Sequence, residues 1–138
     1  MIEINNQTSF RLDKKKLSTV AKKVIKGENK EIENLSIAFV GSADIKKLNK
    51  KYRHKNKPTD VLSFEGDKKI DYSLGEVIIC PEIVKENAEK FKTRFENELV
   101  KILIHGILHL CGYDHEKSEK EAVEMEKKEE QYILKVSK

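Results

Sequence analysis

The chain is poor in the residues that mark several common protein classes. Its 138 residues contain no tryptophan, two prolines and two cysteines, and aromatic residues make up 7%. Cys80 and Cys111 are too few for a disulfide framework, so a cytoplasmic location is expected. No apolar run approaches the roughly 20 residues of a membrane span, and no secretory signal is expected. The scarcity of aromatics also predicts that no aromatic-rich surface is available for stacking nucleobases.

What is present favours a single domain, residues 1–138, with a charged surface. Hydrophobic and charged residues each make up 38%, and the length suffices for one core. The periodicities predict the order β-α-β-α-β-β-α-α-α, an α/β or α+β domain with one small sheet. Strands are expected over residues 2–5, 35–40, 61–64 and 77–80.

End signals and apolar stripes locate the helices. Asp13 is expected to cap the first helix and Gly27 to end it, while Ser42 is expected to cap the second. Pro81 suits the first turn of the third. The last helix is charged and covers about residues 116–136. The residues expected to face inward from the first, second and last helices are Leu17, Val20, Ala21, Val24, Ile25, Ile45, Leu48, Tyr52, Ala122, Met125, Tyr132 and Ile133.

Three of the four histidines lie within eleven residues, in the segment HGILHLCGYDH that runs from His105 to His115. The segment ends a predicted helix over residues 95–110, which becomes almost wholly apolar and is expected to be buried. His105 and His109 are about 40° apart around that helix and roughly 6 Å along it, so both imidazoles can reach one ion. Gly112 can end the helix in a left-handed conformation and return His115 to the same ion.

Three neutral imidazoles leave the fourth position of a tetrahedral zinc open to water, which is the arrangement of catalytic zinc sites. The spacing therefore predicts one zinc ion per chain. The general base of metzincin proteases, a glutamate directly after the first histidine, is missing, because Gly106 occupies that position. Peptide hydrolysis is therefore disfavoured. Cys111 lies about 240° round the helix from His105 and faces away from the histidines.

A second informative region is the basic segment 44–58, which has seven basic residues and one acid, Asp44. Its end, YRHKNKPTD, puts Arg53 where the helix must give way before Pro58. An arginine there can donate two hydrogen bonds to one phosphate, so Arg53 is predicted to have a functional role. The candidate substrate-binding residues of the segment are Lys46, Lys50, Lys51 and His54.

The segments YRHKNKPTDVLSF, LGEVIIC and HGILHLCGYDH, in this order in a chain of this size, resemble the YbeY family. The resemblance implies a metal-dependent endoribonuclease specific for single strands, acting in 16S rRNA 3′-end maturation and ribosome quality control. It implies a four-stranded, mostly parallel sheet. It also implies that His105, His109 and His115 are zinc ligands and that Arg53 takes part in RNA cleavage. The partners implied are ribosomal RNA and the ribosome or its associated proteins, with neither DNA nor a membrane expected.

Several points stay open at this stage. Asp114, His54 or Glu76 could serve as a general base, and the nucleophile could be water or the ribose 2′-hydroxyl. Two other functions also remain. One is a metal-dependent, peptidase-like hydrolase of another substrate, and the other is a non-catalytic ribosome-assembly factor stabilised by zinc.

Overall fold

A computed structural model describes residues 1–30, 34–67 and 73–136. Over these residues four strands and five helices follow the predicted order. In chain order they are β1 (Ile2–Asn6), α1 (Lys14–Gly27), β2 (Asn34–Phe39), α2 (Ser42–Arg53), β3 (Val61–Glu65), β4 (Ser73–Ile79), α3 (Pro81–Phe91), α4 (Phe95–Leu110) and α5 (Glu119–Val136).

The strands form one mixed sheet with the order β1-β2-β4-β3. β1, β2 and β4 run parallel, and β3 pairs antiparallel with β4 at the edge of the sheet. This confirms the small, mostly parallel sheet. Parallel strands are covered on both faces, which accounts for the nearly continuous apolar runs of β2 and β4. On one face, residues of the sheet share a hydrophobic core with α1, α4 and α5, and on the other face they cluster with Ile45 of α2.

The helix α4 is the central element of the larger core. It contacts α1, α3 and α5 as well as β3 and β4. Leu103, Ile104, Ile107 and Leu108 on this helix are fully buried, as its apolar sequence predicts. Among the described residues, no helix combines the length and the apolar character needed to cross a membrane.

Three helix-end predictions meet different outcomes. Asp13 caps α1 as predicted, since its carboxylate accepts the Lys16 N–H at 3.0 Å. Gly27 is the last residue of α1, as predicted, and the positive φ of 55° follows at Asn29. Ser42, however, is not the N-cap. The carbonyl of Gly41 accepts the first helical hydrogen bond, from the Ile45 N–H at 3.1 Å, so Ser42 is already helical.

The end of α2 and the start of α5 also differ from expectation. Tyr52 shares a helical face with Ile45, but it is 51% exposed, and its ring contacts Phe64 on the edge strand β3. Asn49 is buried in its place, and its amide donates to the Lys57 carbonyl at 2.9 Å. α5 begins at Glu119 rather than near residue 116, because the preceding residues form the turn that carries His115.

Candidate metal centre

His105 and His109 lie one helical turn apart on α4, with their ring centroids 5.0 Å from each other. The chain then turns at Gly112, whose φ is +105°. The Gly112 N–H donates to the His109 carbonyl at 3.1 Å, and the Tyr113 N–H donates to the Leu108 carbonyl at 3.2 Å. These two bonds form a Schellman motif, in which a glycine takes the left-handed position just past the helix end. The turn thus has the origin that the sequence indicated.

This turn returns His115 to the two helical histidines. Its ring centroid lies 5.1 Å from that of His105 and 5.0 Å from that of His109. The three imidazoles therefore form a nearly equilateral triangle. His115 is exposed and the other two are partly buried, so the triangle opens to solvent on one side.

The donor atoms of the triangle fit a metal ion. One nitrogen from each histidine lies within 4.8 Å of the others, and His109 Nε2 is 3.1 Å from His115 Nδ1. Two nitrogens bound to one tetrahedral zinc lie about 3.4 Å apart, given bond lengths of about 2.0–2.1 Å. Burial lowers the pKa of His109, helped by the neighbouring charges of His105 and His115. The neutral imidazole that a metal requires is therefore favoured at this position.

Glu129 on α5 fixes the orientation of His105. Its carboxylate is bonded to His105 Nδ1, and its side chain is 13% exposed. With Nδ1 donating to the carboxylate, Nε2 keeps its lone pair for the centre of the triangle. Carboxylates of this kind orient metal-binding histidines and raise their basicity. The sequence did carry a signal for Glu129, because it lies between the buried residues Met125 and Tyr132 on the apolar stripe of α5.

Glu28, at the end of α1, holds the turn that carries His115. Its side chain is 8% exposed. It accepts hydrogen bonds from the Tyr113 hydroxyl at 2.8 Å and the Tyr132 hydroxyl at 2.5 Å, and Lys128 Nζ lies 3.6 Å away. Burial alone raises the pKa of Glu28, but these partners outweigh it and hold the pKa below its usual value. Glu28 connects α1, the turn and α5 at one point.

Arg53 is placed at the same site by β3. It ends α2, and its guanidinium donates to the Ser63 carbonyl at 3.2 Å. The Ser63 hydroxyl donates to the Gly106 carbonyl of α4 at 3.0 Å. A single residue of β3 therefore contacts both the arginine and the helix that carries His105 and His109.

Gly106 explains why the protease base is missing. A Cβ atom there would lie 2.7 Å from Val77 Cγ1 and 3.3 Å from both Ser63 Oγ and Val61 Cγ2. α4 thus approaches the sheet too closely for a side chain at this position, and the position faces β3 and β4. A glutamate there could not be accommodated without moving the helix.

An open cleft of about 1100 Å³ contains the three histidines and Arg53. Lys55, Lys57 and Lys117 line it. Lys46, Lys50, Lys51 and His54 are exposed on α2 and at its end, and the left-handed φ of His54, 58°, ends that helix. Acidic residues also line the cleft and offset part of its charge. The remaining positive charge is concentrated in the loop after α2. These acids are Asp60, Glu65, Asp114 and Glu116.

The three candidate bases lie in different places, and the first of them, His54, is exposed at the end of α2. Asp114 lines the cleft, and its carboxylate accepts the Glu116 N–H at 3.0 Å. Glu76 accepts a hydrogen bond from the Ser36 hydroxyl at 3.1 Å. It follows Gly75 and precedes Val77 on β4, so it faces away from the side of the sheet that α4 covers. The geometry therefore favours Asp114 over Glu76.

Fold and site together define an α/β protein with a histidine centre, suited to a metal ion, in an open cleft beside an arginine. The sequence model of the family described as "Endoribonuclease YbeY" matches residues 3–137. The chain therefore belongs to the YbeY endoribonuclease family, a class of enzymes that cleave RNA internally.

Individual relatives agree with this assignment. A protein of Thermotoga neapolitana named Endoribonuclease YbeY is 39% identical over 136 residues, which cover 99% of this chain and 89% of the relative. One of Thermotoga maritima with the same name is 42% identical over 123 residues, covering 89% and 77%. The solution structure of TM1509 from Thermotoga maritima matches with a TM-score of 0.69 and 37% identity, covering 99% of this chain and 89% of that one.

Proposed function

We propose that this chain is a zinc-dependent endoribonuclease specific for single-stranded RNA, that it matures the 3′ end of 16S rRNA, and that it takes part in ribosome quality control. The observation that carries the proposal is the triangle of His105, His109 and His115 in the cleft that also contains Arg53. Membership of an endoribonuclease family supports an RNA substrate, and the proposal adds ribosomal RNA, ribosomal partners and a cytoplasmic location. Thiol side chains at Cys80 and Cys111 fit a reducing compartment.

The residues of the site have distinct roles in this proposal. The three histidines hold the ion, and Glu129 orients His105. When bound, zinc supplies Lewis acidity towards a phosphoryl oxygen and lowers the pKa of water. Arg53 uses one nitrogen to bond the Ser63 carbonyl, which fixes the guanidinium and leaves other N–H groups free to contact phosphate oxygens. Those donors stabilise the negative charge that develops as the phosphodiester bond breaks.

The test of Arg53 is single-turnover cleavage of a single-stranded RNA at saturating enzyme. Arg53→Ala is expected to lower the cleavage rate about a hundredfold or more, the cost of removing one such donor. Arg53→Lys should recover only part of the rate, since an ammonium group cannot reproduce the two-pronged contact. If the Arg53→Ala rate returns to wild type at saturation, Arg53 only anchors the substrate.

The role of the lysines is tested by single-turnover cleavage over a range of enzyme concentrations, repeated across a salt series. Removal of a lysine that neutralises a phosphate is expected to raise KM and to flatten the salt dependence, with little effect on kcat. Two double variants test where the RNA strand binds. Lys55→Ala with Lys57→Ala removes charge from the cleft, and Lys46→Ala with Lys50→Ala removes it from α2. A larger salt effect for the first pair indicates that the strand follows the cleft.

Metal content and substrate class are tested directly. Elemental analysis is expected to find close to one zinc per chain, which a His105→Ala, His109→Ala double variant loses because one imidazole makes a weak site. Metal-loaded protein should cleave RNA and leave casein intact. Cleavage of casein but not RNA would favour a peptidase, and zinc binding with neither activity would favour a non-catalytic assembly factor.

A further inference from the structure

An aromatic pair lies at the end of α2, next to Arg53. The Tyr52 side chain is 51% exposed. Its ring meets that of Phe64 on β3 in an edge-on contact, with centroids 5.1 Å apart and planes inclined by 66°. Phe64 borders the cleft that contains the histidines, and its side chain lies on the face of the edge strand β3 that packs against α2. Few as they are, two of the aromatic residues therefore meet at the border of the candidate active site.

The pair is held in place because two consecutive residues of α2 contact two consecutive residues of β3. Tyr52 packs on Phe64, and the next residue of α2, Arg53, bonds the carbonyl of the preceding residue of β3, Ser63. The base of the loop after α2 is tied down as well, through the Asn49 amide and the Lys57 carbonyl. An aromatic ring and a guanidinium are thus fixed side by side.

This arrangement matches the chemistry of a nucleotide, in which a flat base is joined through its sugar to a phosphate. We propose that Tyr52 and Phe64 form a stacking shelf for one unpaired nucleobase, while Arg53 contacts the phosphate beside it. The proposal rests on the proposed function. Lys51, with its ammonium group 5.2 Å from the centre of the Tyr52 ring, adds positive charge where the strand passes.

Stacking on aromatic side chains is strong and tolerant of base identity, because every base has a π-face. The shelf would therefore give affinity for single strands with little sequence preference. A paired duplex cannot offer such a base without first unstacking it, which costs a few kcal/mol. The shelf thus accounts for discrimination between single and double strands at this site.

The experiment uses the full chain in chelator, so that no RNA is cleaved, and short single-stranded RNAs that carry 2-aminopurine at successive positions. The fluorescence of 2-aminopurine is quenched when it stacks. Wild-type protein should quench one position strongly. Tyr52→Ala should abolish that quench and weaken binding about 5- to 150-fold, and Tyr52→Phe should retain both.

A matched control is available at the end of α3. Phe91 is 60% exposed, and Lys90 lies 5.7 Å from the centre of its ring. It reproduces the local pattern of a lysine followed by an exposed aromatic residue, but it is absent from the lining of the cleft. Phe91→Ala should leave both the quench and the affinity unchanged. An equal loss in this variant would show a general surface effect and overturn the shelf.

An abasic nucleotide separates stacking from a purely structural role. Placed at the quenched position, it should weaken binding to wild type and have little further effect on Tyr52→Ala, since both changes remove the same contact. Additive losses would overturn the shelf. If RNA is cleaved while Tyr52→Ala binds as tightly as wild type, the shelf fails and the endoribonuclease proposal stands. If no single-stranded RNA is bound or cleaved under any condition, both fail.

Discussion

Glu28 offers the sharpest test of how the site is supported. Glu28→Gln keeps the shape of the side chain and one acceptor oxygen but removes its charge. Two tyrosine hydroxyls donate to this carboxylate, and hydrogen bonds to charged groups contribute about 1.5–3 kcal/mol each against roughly 1 for neutral pairs. The expected loss in the free energy of unfolding at pH 7 is therefore about 1–3 kcal/mol. For a domain of this size that corresponds to a fall in Tm of roughly 4–12 °C.

The pH dependence of this effect has a definite sign. The pKa of Glu28 is lowered in the folded state. Its stabilising contribution is therefore fully present above the unfolded pKa of about 4.3 and is lost as pH falls through the folded pKa. The difference between wild type and Glu28→Gln should thus shrink in acid. Urea denaturation of metal-free protein at several pH values from 7 down to about 2.5 measures it, because most of the loss lies below the unfolded pKa.

The pKa values of the two tyrosines provide a second measurement of the same contact. Burial and the hydrogen bond to Glu28 raise the pKa of Tyr113 to about 12, and the same causes raise the pKa of Tyr132. In an alkaline absorbance titration, Glu28→Gln should bring part of the tyrosine signal to lower pH. Glu3→Gln, at an exposed position on β1, is the control. A Glu28→Gln variant that matches this control, or whose deficit is as large at about pH 2.5 as at pH 7, would refute the reasoning.

Three further predictions concern the metal centre. Glu129→Gln should weaken zinc binding about 10- to 100-fold in a competition titration with a chelating dye, while Glu126→Gln, at an exposed position on α5, should not. Gly112→Val should impair zinc binding although it removes no ligand, because a positive φ costs such a residue about 1–3 kcal/mol; unchanged affinity would show that the turn tolerates it. Gly106→Ala should destabilise the protein by about 1–3 kcal/mol in urea, and Val77→Ala should restore part of that loss if the contact with Val77 Cγ1 is the cause.

The features that sequence predicted are those set by neighbours along the chain. The spacing of His105 and His109 follows from helix geometry, and Gly112 follows from the backbone conformation that a helix end requires. The order of elements follows from apolar periodicity in the same way. Each of these sequence signals lies within about one helix or strand of the structural feature that it predicts.

The features that sequence missed depend on contacts between distant segments. Glu28 and Tyr132 are 104 positions apart, and His105 and Glu129 are 24 apart. Tyr52 was expected to face inward because its spacing from Ile45 is helical, but spacing alone does not show how much of the last turn of α2 other elements cover. The pairing of Tyr52 with Phe64 likewise depends on how α2 lies against the edge strand β3, and aromatic content alone predicted no stacking surface.

The charged helix α5 contributes to the candidate metal site more than its composition indicates. Glu129 orients His105, and Tyr132, three residues later on the same helix, holds Glu28 and through it the turn of His115. Docking of α5 therefore positions two of the three imidazoles at once. A ligand that binds only the folded arrangement stabilises it, by about 2.7 kcal/mol at a concentration of 100 times its Kd. Zinc should thus protect the amides of α5 from hydrogen exchange although none of its side chains is a proposed ligand. That protection should fall in Glu129→Gln, because the link between helix and ion is then weaker. Protection confined to α4 and the turn would mean that α5 docks independently of the metal.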